Sequence, residues 1–508
     1  MRHWTILLGA GLALLAGAAP AFPQDVAESA IPGHVDQEDV AAGVWSLDQL
    51  SAAGELLFRA QFTVFDGLGR PGATGNPSPT RRPLNSAPMF VRTAGPDSNS
   101  CFGCHNTPRV GGSGEIVANV FAGPSAREPV LLSIDPGLSA ERGTPGMNGS
   151  GAIELLAREM TGELHRIRDE AIREAQATGQ PVRRELLTKG VSFGHVTGQP
   201  DGNYKMTEIE GVDRDLVIRP WNQKGTVTSL RTFTVNAMNQ HHGMQANERF
   251  GLRVTGTPDF DRDGVSEELT EGDITALVVF QAAMNIPGQV LPADPVKRRW
   301  VEEGEHLFQD VGCDTCHVPE MTLESPIYQE PGPYNLEGTL RYYETEAIFR
   351  FDLTRDIPSP RLERREDGRA VVRAFTDLKR HRICDRERPF FCNETLVQGF
   401  APTDQFITRR LWTTGSTAPY GHRGDLTTIH EAILHHGGEA RRSRLAYESL
   451  DRREQGKIVH FLRSLQVLPE GSPPVVTAEP EEPLPYRRSS RPLVAEHGGG
   501  KNAKGGAP

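Results

Sequence analysis

The sequence predicts a mainly α-helical chain made of two related halves with long loops. Three observations predict it. Apolar residues recur at three- and four-residue steps over several long stretches, while strand-like alternation is sparse. Cys-x-x-Cys-His is written twice, as CFGCH at 101–105 and CDTCH at 313–317. Other phrases repeat around each copy, as they would after duplication of an ancestral unit.

Taken in order, the 508-residue chain opens on MRHWTILLGAGLALLAGAAPAF. Arg2 and His3 precede a short apolar run, and Ala19-Pro20-Ala21 forms a small-residue cleavage site, so residues 1–21 read as a signal peptide. The remainder is expected to be periplasmic or secreted, with no membrane span after cleavage. The first half then runs over 22–290. In it GELLF at 54–58 sits in a helical setting, and a Gly/Pro/Ser/Asn-rich stretch at 66–99 separates it from CFGCH. Ile153, Leu156, Met160, Leu164, Ile167 and Ala171 mark an amphipathic helix, and residues 271–285 read likewise. Pro287 and VLPADP at 290–295 read as a linker. The second half, 296–468, carries GEHLF at 304–308 just before CDTCH, and a further helix over 446–466. Residues 469–508, rich in Pro, Glu, Gly and Lys, read as a disordered tail.

A covalently held c-type haem needs two thiols for its vinyl groups and an imidazole beneath its iron. Cys101, Cys104 and His105 supply one such set; Cys313, Cys316 and His317 supply the other. A thioredoxin-like pair does not require the histidine, and zinc would need further paired ligands. Export agrees with covalent haem attachment, so two c-type haems are expected. The remaining cysteines, Cys384 and Cys392, bracket a short stretch and are expected to form a disulfide in an oxidising compartment.

A second phrase repeats later in each half: PWNQKGTVTSL at 220–230 and PYGHRGDLTTI at 419–429, each followed by His-His-Gly, at 241–243 and 435–437. Between them PDFDRDGVSEELT (258–270) spaces Asp259, Asp261 and Asp263 before Gly264, with Glu267 and Glu268 beyond. Alternate carboxylates before a glycine turn suit Ca²⁺. Thr270 stands where an EF-hand would close with glutamate, so Glu268 or Glu267 is the expected closing ligand. The formal net charge of −11, with no basic stripe, argues against a nucleic-acid partner and fits a basic redox partner or a small neutral substrate.

The phrases GPDSNSCFGCHNTP (95–108), AMNQHHGMQANERFG (237–251), DITALVVFQA (273–282) and LWTTGSTAPYGHRGDLTTIHEAILHHGGEA (411–440) resemble the bacterial dihaem cytochrome c peroxidase superfamily, which includes MauG and the rubber oxygenases. The branch most similar is that of the dihaem oxidoreductases. The resemblance implies two cytochrome c-like haem domains, an electron-transferring C-terminal haem, and an N-terminal haem that meets peroxide or oxygen. It places the sixth ligand of the C-terminal haem at His436, with His435 as the neighbouring alternative. Trp221 falls on the inter-haem relay position. His241 falls where similar enzymes hold a distal glutamate, and Gln240, His242 and Glu248 are near enough to exchange that role. His381 is a candidate for a propionate contact, for the sixth ligand, or for a plain surface residue. The implied activity is a haem-dependent peroxidase fed by a small cytochrome or cupredoxin-like donor. An oxidase acting on an organic or protein substrate, and an electron carrier with two bis-histidine haems, are the alternatives.

Overall fold

The structure, a computed structural model, describes residues 28–69, 98–122, 139–346, 348–394 and 397–478. The expected signal peptide, most of the 66–99 stretch and residues 479–508 of the expected tail lie outside the described residues.

Two crossed helix pairs organise the molecule. In the first, helix Leu47–Arg59 starts at a capping box made by Ser46 and Gln49, and helix Glu271–Ala283 starts at another made by Thr270 and Asp273. The second of these helices is apolar around nearly its whole circumference and is buried accordingly. The two approach closely because Gly54 has no side chain: a Cβ there would lie 2.0 Å from the Ala276 carbonyl oxygen. The second pair is built alike. Helix Pro295–Asp310 is capped by Asp294 with Pro295 in its first turn, and helix Arg452–Ser464 by the Asp451/Glu454 box. There a Cβ on Gly304 would lie 2.1 Å from the Lys457 carbonyl oxygen. Phe58 packs on Phe280 with ring centroids 5.4 Å apart, and Phe308 on Phe461 at 5.6 Å. The GExLF phrase is therefore a structural repeat, in which glycine sets the crossing and phenylalanine fills the space beside it.

The expectation of a mainly α chain of two cytochrome c-like haem domains does not hold. Helical turns of all kinds make up 36% of the described residues and strands 17%, the latter in several small sheets. Val182–Thr188, Val191–Gly198 and Tyr204–Ile209 form an antiparallel meander against the long helix Ser150–Thr178. Gly288–Leu291, read from sequence as linker, is a central strand between Leu465–Gln466 and Val475–Thr477. The chain thus stays in register past Leu468. Strands this short give little periodic signal, and VRRELLT at 182–188 is mostly exposed, so alternation could not announce it. The helix expected over 446–466 is two, Arg441–Ser449 and Arg452–Ser464, because Asp451 caps a fresh start. The largest apolar core draws on residues from Ile31 to Trp412, and a smaller one gathers Val301, Phe308, Ile429, Tyr447 and Phe461. Among the described residues no helix is long and apolar enough to cross a membrane.

Candidate dihaem site

Beside the second helix pair lies a cavity of about 260 Å³, with Cys313, Cys316 and His317 among its lining residues and Ile429, Ile433 and His436 as well. Phe308, Phe391, Phe406 and Leu462 give it apolar walls. His317 donates from Nδ1 to the Phe375 carbonyl at 3.1 Å, and His436 from Nδ1 to the Ala432 carbonyl at 2.8 Å. Such a bond fixes the tautomer and leaves Nε2 with a lone pair for a metal. Burial pushes His317 down to about 4 and lowers His436 as well, so both rings are neutral, the ligating form. Cys313 is a free thiol whose pKa burial raises to about 12.

Two further lining residues, Arg409 and Arg410, have no carboxylate partner among the described residues. Burial lowers Arg409 to about 10, and Arg410 falls well below the usual range through burial and the neighbouring Arg409 charge. Two unneutralised cations in an apolar cavity call for an anion. Haem fits this donor set: two thiols for its vinyls, two neutral imidazoles for its iron, apolar walls for the ring and two guanidinium groups for its propionates. Neither arginine was singled out in the sequence, where only the adjacent pair in ITRRLW signals them.

His435 stacks on Phe390 at 4.4 Å instead of lining the cavity. His381 is buried rather than a surface residue, and it lines the same cavity with both ring nitrogens engaged by carboxylates. Its Nε2 meets Asp377 and its Nδ1 meets Glu439, each at 2.7 Å. Burial alone would lower its pKa, but the bonds from Asp377, Cys316 and Glu439 outweigh this and raise it to about 12. Another group absent from the residues singled out in the sequence is buried nearby: Glu394 accepts from the two terminal guanidinium nitrogens of Arg142, each at 2.7 Å, and lies 3.1 Å from His422 Nε2.

In the N-terminal half, Cys101–Cys104 form one helical turn capped by His105. His105 donates from Nδ1 to the Gly112 carbonyl at 3.3 Å and lies 6.1 Å from Phe58, as His317 lies 6.4 Å from Phe308. Burial pushes His105 down to about 4, with nearby His241 and Arg409 adding to the fall. The second repeated phrase also folds twice. Trp221 bonds Val227 and Tyr420 bonds Leu426 in matching bridges, after which Ser229 caps helix Leu230–Ala237 and Thr428 caps helix Ile429–Leu434.

From those caps the halves diverge. His436 stands eight residues after Thr428, but the matching place after Ser229 holds Ala237. The His-His doublet comes five residues later, and those five, Met238–His242, form a π turn, a device concentrated at functional sites. On it, His242 is buried beside Cys101, with Nε2 3.5 Å from Sγ and Nδ1 2.7 Å from the Ser98 carbonyl. Gln240 and His241 are half-buried on the same turn. Glu248 does not share this place: it is fully buried in an ion pair with Arg231, Oε2 to guanidinium at 2.5 Å. Trp221 is buried with the Arg410 guanidinium 5.6 Å from its ring centre. Arg409 lines the C-terminal cavity while its charge reaches His105, so the Arg409-Arg410 segment lies between the two sites.

The acidic loop gathers Asp259, Asp261 and Asp263, one ligand oxygen from each lying within 4.8 Å of the others. Asp261 is fully buried and neither of its oxygens is hydrogen-bonded. Burial and then the charges of Asp263 and Asp259 raise it to about 8; burial likewise raises Asp263 to about 6 and Glu268 well above the carboxylate range. Asp261 and Asp263 are among the charges that raise Glu268. Among the described residues none of the four pairs with a lysine or arginine. An orphaned buried carboxylate among others fits a hard cation such as Ca²⁺. Cys384 and Cys392 are joined by a disulfide, their Cα atoms 5.6 Å apart.

Comparison with known proteins bears on one stretch. Residues 392–465, which hold the repeated PYGHRGDLTTI phrase and His436, match the family described as "Di-haem oxidoreductase, putative peroxidase". No curated protein matches the chain. Among solved structures, the Kuenenia stuttgartiensis hydrazine synthase pressurized with xenon is similar at 13% identity, over 92% of this chain and 99% of that one, with a TM-score of 0.35. A likeness that slight carries no argument. Through residues 392–465, the segment that lines the C-terminal cavity, the chain fits a dihaem oxidoreductase family.

Proposed function

We propose that this chain is an exported dihaem c-type oxidoreductase that reduces peroxide, with electrons entering at the C-terminal site. The observation that carries the reading is the inequality of the two sites. The C-terminal cavity has two neutral imidazoles among its lining residues, His317 and His436, which would hold a haem iron there. In the N-terminal half the place matching His436 holds Ala237, which offers no ligand atom. When bound, the haems supply redox-active iron, one centre for electron entry and one for peroxide.

The chain's own groups do the rest. His105 is held by the Gly112 carbonyl in the tautomer that leaves Nε2 for iron. His241, on the π turn and near His105, is the group that moves a proton at peroxide, since peroxide reduction consumes protons with electrons. Gln240 orients the peroxide, and His242 holds the Cys101 side of the pocket. Trp221, buried beside Arg410, carries electrons between the sites. A bis-histidine carrier would need His241 or His242 as the second ligand; the His242 ring is directed to Ser98 and Cys101, which leaves His241 as the residue whose role separates the two readings. Ca²⁺ held by Asp259, Asp261, Asp263 and Glu268 fixes the loop that follows the π turn. The acidic surface suits a basic cytochrome or cupredoxin-like donor.

The test is electron paramagnetic resonance of the holoprotein before and after one-electron reduction, followed by peroxide. The reading expects one low-spin bis-histidine centre and one centre that is high-spin at least after partial reduction and responds to peroxide. Two low-spin centres indifferent to peroxide in both states would refute it.

A further inference from the structure

The helix that precedes His436 holds it by two hydrogen bonds alone. Helix Ile429–Leu434 ends two residues earlier, and the ligand stands on the loop beyond its cap, His435. Its own segment gives it only a backbone bond to Ile433 at 3.1 Å and the ring bond to Ala432. Such a short helix would fray freely in isolation. What surrounds this segment is the loop 384–392, closed by the Cys384–Cys392 disulfide.

The loop, together with Ile383 just before it, grips the segment at every residue from 434 to 438. Arg388 Nε donates to the Leu434 carbonyl at 3.0 Å. Phe390 stacks on His435, and Phe391 lies edge-on to His436 with ring centres 5.9 Å apart. The Gly437 N–H donates to the Ile383 carbonyl at 2.7 Å, and the Gly438 N–H to Asp385 Oδ2 at 2.9 Å. Gly438 has φ +54°, and a Cβ there would lie 2.2 Å from the Arg382 carbonyl oxygen, so only glycine allows this approach. Asp385 also accepts from the N–H groups of Glu387 and Arg388, which shapes the loop around its own grip. Cys384 and Phe391 belong to an apolar cluster with Phe406 and Leu426, which anchors the loop in the cavity wall.

We infer that the disulfide-closed loop 384–392 is the positioning element for His436, so that opening the disulfide releases the sixth ligand of the C-terminal haem. The inference rests on the proposed reading of His436 as that ligand. The N-terminal half has only Cys101 and Cys104, both in its Cys-x-x-Cys-His set, and so has no counterpart of the Cys384–Cys392 pair. Closing a loop by a disulfide removes alternatives open to the unconstrained chain, and here those alternatives include the states in which His436 faces away from iron.

The test uses ferric holoprotein and compares three preparations. In the first, the disulfide is opened by a phosphine reductant, both thiols are alkylated, and the haems are reoxidised with ferricyanide. The second is Asp385→Asn, which keeps the disulfide but weakens the grip on Gly438. The third is His436→Ala. The inference expects the high-spin fraction at the C-terminal haem to rise about tenfold in the first two. It expects added imidazole to restore the low-spin spectrum, and the N-terminal haem to stay unchanged. Retention of the low-spin C-terminal signal in both would overturn it, as would equal change at both haems. If His436→Ala leaves the spin state unaltered, the ligand assignment itself fails, and the loop inference falls with it.

Discussion

Chelating the cation proposed for the acidic loop should make the stability of the protein depend on pH in an unusual direction. In metal-free protein Asp261 is raised from 3.8 to about 8 by burial and by Asp263 and Asp259. An acid whose folded pKa is raised contributes stability that is fully present below its unfolded value and lost as pH rises through its folded value. The window therefore runs from about pH 4 to pH 8, and metal-free protein should weaken as pH rises across it. At ~1.4 kcal/mol per pH unit, the full loss at Asp261 is on the order of 6 kcal/mol. Over the three units between pH 5 and pH 8 the loss is about 4 kcal/mol, a fall in melting temperature on the order of 5 °C for a protein of this size. Calcium at millimolar concentration should reverse it by binding the folded state alone. Asp261→Asn should remove the Asp261 share of the pH dependence, leaving that of Glu268 and Asp263, should abolish the calcium response, and should raise the melting temperature of chelated protein at pH 8. Scanning calorimetry of chelated and calcium-loaded protein at the two pH values reads all three. A flat profile in chelated protein, or a calcium response that survives Asp261→Asn, would refute the reasoning.

Other outcomes follow from the same geometry. Gly304→Ala should cost about 3 kcal/mol in urea unfolding, because its Cβ would meet the Lys457 carbonyl oxygen at 2.1 Å and a backbone atom cannot rotate aside. Arg409→Gln removes a cation from between the two sites; spectroelectrochemistry should find the ferrous forms less favoured by about tenfold, or ~59 mV, at both haems. Trp221→Phe should slow reduction of the N-terminal haem in stopped-flow while leaving both ferric spectra intact, whereas an unchanged rate would remove Trp221 from the path. Glu394, buried but held down to about 2 by His422 and Arg142, contributes stability above its usual pKa that is lost as pH falls toward 2. Glu394→Gln should cost about 3 kcal/mol at neutral pH by leaving Arg142 buried and unpaired, with acid unfolding curves as the check.

The sequence by itself determined the chemistry held in local spacing. Two CxxCH sets, the repeated GExLF and Pro-aromatic phrases, the alternate carboxylates at 259–263 and the pair Cys384/Cys392 all lie within a few residues of themselves. The backbone brings such neighbours together whatever the fold. The small sheets were not legible, because strands of two to nine residues on half-exposed surfaces carry too little alternation. Nor was the pairing of VLPADP with the chain beyond Leu468, which depends on contacts across nearly two hundred residues. Tertiary structure alone decided that His381 is locked between Asp377 and Glu439, that Glu248 answers Arg231, and that Arg409 and Arg410 face a cavity with no carboxylate partner among the described residues. It also decided what the two identical HHG triplets mean. The five-residue offset can be counted along the chain, but only the fold shows that the extra residues form a π turn that carries His242 to Cys101 and Ser98, while His436 reaches the cavity.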